Sequence, residues 1–195
     1  MRTLEEIRSF IVDNKTGYLE ANTAKDAGKG KYDKSISYLL SNLRDDEDVK
    51  FALYTTGIKN GAGVVQAGGT VILMITNQRI IYGSKDFLSE EMKSISFDEC
   101  HDVQSSTFGI FCGSISIHTK TEKLRFDLDK KHVARIAAEI DKLIRELVKE
   151  TKKEATTVIQ QASGADELLK YKQLLDAGII SQEEFEAKKK QILGL

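Results

Sequence analysis

The chain has 195 residues, with 29 Lys and Arg against 30 Asp and Glu and a formal net charge of −1. That balance leaves no overall electrostatic footprint for nucleic acid or an anionic membrane, so any such contact would have to be local. Two cysteines are too few to staple a secreted scaffold, the first residues lack the apolar core of a signal peptide, and the apolar runs fall far short of the roughly 20 residues that span a bilayer. A cytoplasmic protein without a transmembrane segment is expected, with one main core and an appendage.

Proline is absent, so boundaries are read from glycine, caps and changes of period. Thr3 and Glu6 form a capping-box pattern, and Leu4, Ile7, Phe10 and Ile11 follow at helical spacing up to Gly17. Ala21 to Tyr32 is polar and is read as a connection; Ile36, Leu39, Leu40 and Leu43 then share one face of a second helix that ends near Arg44. Residues 1–45 are thus an N-terminal helical extension. The acidic run Asp45 to Asp48 lacks the alternating ligands and the glycine of a calcium loop, and reads as a solvated connection.

From Val49 the period changes to two. Val49, Phe51 and Leu53 alternate along a first strand that ends at Gly57. In the glycine-rich segment Lys59 to Gly69, Gly61 and Gly63 suggest a dinucleotide loop, but Gln66 stands at the third glycine and a strand follows where a helix is needed. Thr70 to Tyr82 reads as two β-branched strands around Asn77 and Gln78. Both alternating sets are apolar, which predicts a hairpin buried on both sides. Further strands are expected at Met92 to Phe97, at about Asp102 to Ser106, around Ile115 and Ile117, and around Leu124, Phe126 and Leu128. Seven short strands without intervening helices imply an antiparallel meander closed into a barrel or sandwich. A third helix from Asp129 to about Lys153 carries Val133, Ile136, Ile140, Leu143, Ile144 and Leu147 on one stripe and would cover the barrel end.

Residues 154–164 are poor in large apolar groups and read as a linker or a fraying helix extension. Residues 165–195 then form a helical hairpin. Gly178 sits at a helix C-cap, Ser181 with Glu184 makes a capping box, and Ile180 with Phe185 makes a hydrophobic staple. Thirty residues do not sustain a core of their own, so Leu168, Leu175, Ile180, Phe185 and Leu193 are the candidate interface to the chain's own barrel, an oligomer mate or another protein.

No constellation for catalysis, metal or cofactor emerges. His101, His118, His132, Cys100 and Cys112 lack the close spacing of a tetrahedral site. Gly109 to Gly113 has the glycine spacing of a nucleophile elbow, but Phe111 takes the nucleophile's place. The third helix carries eight cations against five acids between Asp129 and Lys153, and Lys188 to Lys190 close the tail; mixed signs along a helix usually mark a solvated face.

Gly69 to Tyr82, with its Thr-Asn-x-Arg turn, resembles bacterial PH-like domains of the YokE type, as do Ile95 to Cys100 and Phe108 to Gly113. The likeness spans about Val49 to Glu150. It implies an α+β fold over 49–153, a PH-like seven-stranded antiparallel barrel or sandwich capped by a C-terminal helix. Asp166 to Leu193 resembles the short C-terminal helical module called SHOCT. That resemblance implies a non-enzymatic binding and assembly protein that forms homo-oligomers or docks a protein partner. The alternative is an adaptor that uses the basic faces of the C-terminal helices for nucleic acid or peripheral lipid. PH domains of eukaryotes bind phosphoinositides through a basic loop between their first two strands; in the corresponding stretch, Gly57 to Gly69, the only cation is Lys59.

Overall fold

In the computed structural model, which describes residues 1–18, 20–59 and 65–193, strands β2 (Val65–Thr76) and β3 (Arg79–Lys85) form the predicted hairpin around Asn77 and Gln78. β1 (Val49–Lys59) pairs with the other side of β2, and β4 (Glu90–Ser96) with the other side of β3. β5 (Cys100–Phe108), β6 (Cys112–Thr119) and β7 (Lys123–Asp129) make a second meander. All pairings are antiparallel and the order is β4-β3-β2-β1-β7-β6-β5.

The expected single meander is therefore corrected in one respect: β1 joins the two halves. Its register slips between Thr55 and Gly57, after which Ile58 and Lys59 pair with Phe126 and Arg125 of β7. A bulge of this kind bends a strand, which lets one strand serve two meanders. Strands one and five are also longer than their alternation indicated, because Thr55 to Lys59 and the two ends of β5 are paired without an apolar-polar pattern.

The period of two separates the hairpin residues into two cores. Phe51, Leu53, Val71, Leu73, Ile75, Ile80 and Tyr82 face a barrel interior shared with Ile115, Ile117, Leu124, Phe126 and Leu128. Ala52, Tyr54, Ile72, Met74 and Ile81 face the opposite side and are buried with Ile7, Ile11, Tyr32, Ile36 and Leu39 of the N-terminal segment. That segment consists of α1 (Leu4–Asp13), α2 (Glu20–Gly28) and α3 (Asp33–Leu40). The Thr3 capping box starts α1 as predicted, whereas α2 occupies the stretch expected to be a connection. Few apolar residues mark α2. Tertiary contacts hold it instead: Ala27 and Thr23 are buried, and the Tyr32 hydroxyl donates to the Thr23 carbonyl at 3.1 Å. Ser35 of α3 ties the helices to the sheet, donating to the Thr70 carbonyl and accepting from the Lys85 amide.

The acidic run is not wholly solvated. Glu47 is buried completely, and the Arg79 guanidinium donates to both its carboxylate oxygens at 2.9 Å. The Thr76 hydroxyl donates to the same carboxylate at 2.8 Å, and Asn77 exchanges hydrogen bonds with Asp46 and Asp48. Thr76, Asn77 and Arg79, the residues of the Thr-Asn-x-Arg turn, thus lock the hairpin tip to the chain entering β1. Their role is structural.

Gly83 marks a close approach within the sheet, since a Cβ placed there would lie 2.1 Å from the Glu91 carbonyl oxygen of β4. Gly83→Ala should destabilise by about 1–3 kcal/mol, the usual cost of forcing atoms into a packed site, and a lowered urea midpoint would show it. An unchanged midpoint would mean that β4 yields freely.

α4 (Val133–Asp176) starts four residues later than expected and runs as one helix through 154–164, which matches the helix-extension reading of that stretch and not the linker. Val133, Ile136, Ala137, Ile140, Ile144 and Leu147 complete the barrel core. By contacts the chain divides into Met1–Val148 and Lys149–Leu195. In the second unit α4 ends at a Schellman turn: Gly178 adopts φ +70°, its amide donates to the Leu175 carbonyl, and the Ile179 amide donates to that of Leu174. α5 (Gln182–Leu193) follows the predicted Ser181–Glu184 capping box.

Candidate interaction surfaces

Three features of the first unit, and the tail, present groups that could bind. The β5–β6 turn places Ile110 and Phe111 in solvent, 80% and 71% exposed. The Lys130 amide donates to the Phe111 carbonyl at 3.0 Å and its ammonium to the Gly109 carbonyl at 3.3 Å, so the turn is fixed to the junction of β7 and α4. Arg125 lies 4.4 Å above the Phe108 ring at the base of the turn. Opposite stand Val12 of α1, Lys15 just after it, and Asn22, Thr23 and Ala24 of α2, and together these elements line a groove of about 1130 Å³. Cys112, Asp129, Lys130 and Lys131 also line it. Beside Cys112, the Tyr18 phenol is shifted upward, by burial first and then by the neighbouring Cys112 and Asp127. This groove was invisible to pattern reading. The turn itself was legible, but its opposite wall comes from α2, which polar composition concealed.

A smaller cavity of about 250 Å³ lies between the start of α3 and the β3–β4 turn, lined by Lys31, Lys34, Lys85, Asp86 and Phe87 among others. Its cations are largely answered within the fold. Lys31 pairs with Asp26 at 2.9 Å and Lys85 with Glu90 at 2.8 Å. Asp86, held below the usual carboxylate range by the amides of Leu88 and Ser89, adds a negative charge.

In the β1–β2 region the strands extend to Lys59 and resume at Val65, and the Gly61 and Gly63 pair lies outside the described residues. Lys59 is bound to Asp127 at 2.8 Å. Three of the α4 cations are likewise engaged: Arg135 pairs with Glu139, Arg145 with Asp141 and Lys142 with Glu146, all at i,i+4. Among the described residues, no group of three or more His, Cys, Asp or Glu side chains gathers to hold a metal. Cys100 packs against the barrel core, and burial pushes its thiol up to about 11. Cys112 instead lines the groove. Among the described residues no helix is long and apolar enough to cross a membrane.

In the tail, Leu168, Leu175, Ile180 and Phe185 are half-buried; the Leu193 side chain lies outside the described residues. Lys188 of α5 sits 5.7 Å from the Tyr171 ring centre of α4, so the two helices fold back on each other. Leu169, Leu174 and Ile179 are exposed, with Leu169 64% and Ile179 68% accessible. The apolar residues at the end of α4 are thus divided: Leu168, Tyr171 and Leu175 are half-buried, and Leu169 and Leu174 are exposed.

The comparisons with known proteins bear on both parts of the chain. The family model described as the bacterial PH domain matches residues 43–142, and the one described as the short C-terminal domain (SHOCT) matches residues 166–193. Among solved structures, the chain is similar to the Vps36 N-terminal PH domain at 17% identity and TM-score 0.46, covering 55% of this chain and 86% of that one. It is similar to a pleckstrin homology domain from Shewanella amazonensis SB2B at 20% identity and TM-score 0.35, covering 54% and 96%. A PH-domain-containing protein from Exiguobacterium sibiricum 255-15 gives 15% identity and TM-score 0.36, covering 85% and 78%. The search of curated proteins found no match.

Proposed function

This chain belongs to the bacterial PH domain family and closes with a short C-terminal domain, and we propose that it is a non-catalytic assembly protein whose C-terminal hairpin drives self-association. Modules of these two kinds serve binding rather than catalysis, which supports an adaptor role. One observation carries the finer reading: between residues 167 and 192 no described side chain is buried, while Leu169, Leu174 and Ile179 stand exposed. The barrel core, in contrast, buries its large apolar side chains almost completely, and the most exposed ones of the first unit, Phe87, Leu88, Ile110 and Phe111, sit in its turns. Burying apolar surface is worth roughly 25 cal/mol per Å², so a hairpin that leaves its leucines in water gains stability from a second surface. Symmetric pairing with another copy is the commonest way for a chain to provide one.

Removing residues 165–195, or combining Leu175→Asp with Phe185→Asp, should leave the barrel folded and lower the oligomeric order seen by light scattering. The PH-like unit keeps its own core, so its unfolding midpoint should stay where it is. A full-length protein that is monomeric, with the truncation unchanged in subunit number, overturns self-association and leaves docking onto its own PH-like domain or onto a foreign protein as the use of the tail.

A further inference from the structure

The groove between the β5–β6 turn and the N-terminal helices has no part in the tail reading, and its chemistry selects a partner. Its apolar lining is Val12, Ala24, Ile110 and Phe111, and Lys130 and Lys131 line it as well. Two properties narrow the occupant. Ile110 and Phe111 are 80% and 71% exposed, so the wall rises into solvent instead of enclosing a small molecule. An occupant must be broad enough to cover both side chains and still enter a concave surface, which suits a helix laid lengthwise and not a flat bilayer. Among the described lining residues, the adjacent Lys130 and Lys131 make that end of the groove basic and favour negative charge on whatever sits there.

We propose that this groove receives an amphipathic helix of another protein, with an apolar stripe flanked by acidic residues. The stripe packs on Ile110, Phe111, Val12 and Ala24, and its acidic flank meets Lys130 and Lys131. The turn is pre-set for this by its two hydrogen bonds from Lys130, so little order need be acquired on binding.

The test uses a fluorescein-labelled helical peptide of about 18 residues, with leucines at i, i+3, i+4 and i+7 and glutamates on both flanks, and a counterpart with lysine for every glutamate. Titrated with the full-length protein by fluorescence anisotropy, the acidic peptide should bind with a Kd of roughly 10–100 μM and the lysine peptide at least about tenfold more weakly. Ile110→Ser with Phe111→Ser should weaken the acidic peptide at least about tenfold, since buried anchors dominate such interfaces. Lys130→Glu with Lys131→Glu should reverse the preference between the peptides. These side chains are exposed, so thermal unfolding serves as the control for folding. Leu175→Asp with Phe185→Asp should leave peptide binding unchanged, which separates failure here from failure of the tail reading. The inference is overturned if the two peptides bind alike, if binding survives the Ile110 and Phe111 substitutions, or if the acidic peptide shows no binding up to about 1 mM. Binding to phosphatidylserine vesicles that is lost with Ile110 and Phe111, with no peptide binding, would also overturn it and assign the turn to a membrane.

Discussion

Ile72→Asp should abolish folding as completely as Leu73→Asp, although the two residues point to opposite faces of one strand. Leu73 lies between Leu53 and Tyr82 in the barrel interior and has no exposed surface. Ile72 pairs with Tyr54 on the outer face and is equally buried beneath the N-terminal helices. An unpaired carboxylate in either place costs several kcal/mol or forces a proton onto the group, against a total stability on the order of 5–15 kcal/mol. Ile80→Asp, also in the barrel core, should behave the same way. Soluble expression, circular dichroism and urea unfolding provide the readout. If Ile72→Asp unfolds cooperatively near the wild-type midpoint while Leu73→Asp does not fold, the sheet has one buried face and the N-terminal helices do not cover it.

The second large effect concerns Glu47 and Arg79. Arg79→Ala leaves a fully buried carboxylate without its bidentate partner and should destabilise by about 3–5 kcal/mol. Glu47→Gln removes the charge but keeps the shape, and also strands the guanidinium. Burial acts to raise the Glu47 pKa, yet hydrogen bonds from Arg79, the Arg44 amide and Thr76, with the Arg79 charge, outweigh it and hold the group below its ordinary value of 4.5. The depressed folded-state pKa means that this stabilisation is fully present above the unfolded value and is lost as pH falls through the folded one. Urea midpoints of the wild type should therefore drop on acidification below about pH 4.5 more steeply than those of Glu47→Gln. Parallel pH profiles for the two proteins would remove Glu47 from the acid response. Replacing both residues with apolar ones of similar volume should recover part of the Arg79→Ala loss, because the desolvation of two charges disappears together.

Much of this architecture could be read from residue order because the signals are local. The strands around Asn77 announce themselves by β-branched alternation, the tail by a capping box and a C-cap glycine, and both features appear in the structure where expected. Burial of the hairpin on two sides was equally legible, since Ile72, Met74 and Ile81 are as apolar as Leu73 and Ile80. What covered the second face was not. Periodicity reports that a side chain leaves water, without reporting against what.

The differences share that cause. Glu47 sits among three aspartates in a run that looks solvated, and only the return of Arg79, 32 positions later, buries it with its charge satisfied. α2 lacks an apolar stripe and is held by Tyr32 and by burial of Thr23 and Ala27, contacts that exist only once α1 and α3 have settled on the sheet. Residues 154–164 have few large apolar groups and so read as a linker or a fraying helix extension; Glu154, Ala155, Gln160, Gln161 and Ala162 are good helix formers, and the backbone of α4 continues through the stretch. The groove beside Phe111 joins residues about a hundred positions apart, with Val12 and Ala24 on one side and Ile110 on the other. Local order specified the strands, the caps and the turns. The second core, the buried ion pair and the groove arose from long-range packing, where a side chain's environment depends on which distant segment reaches it.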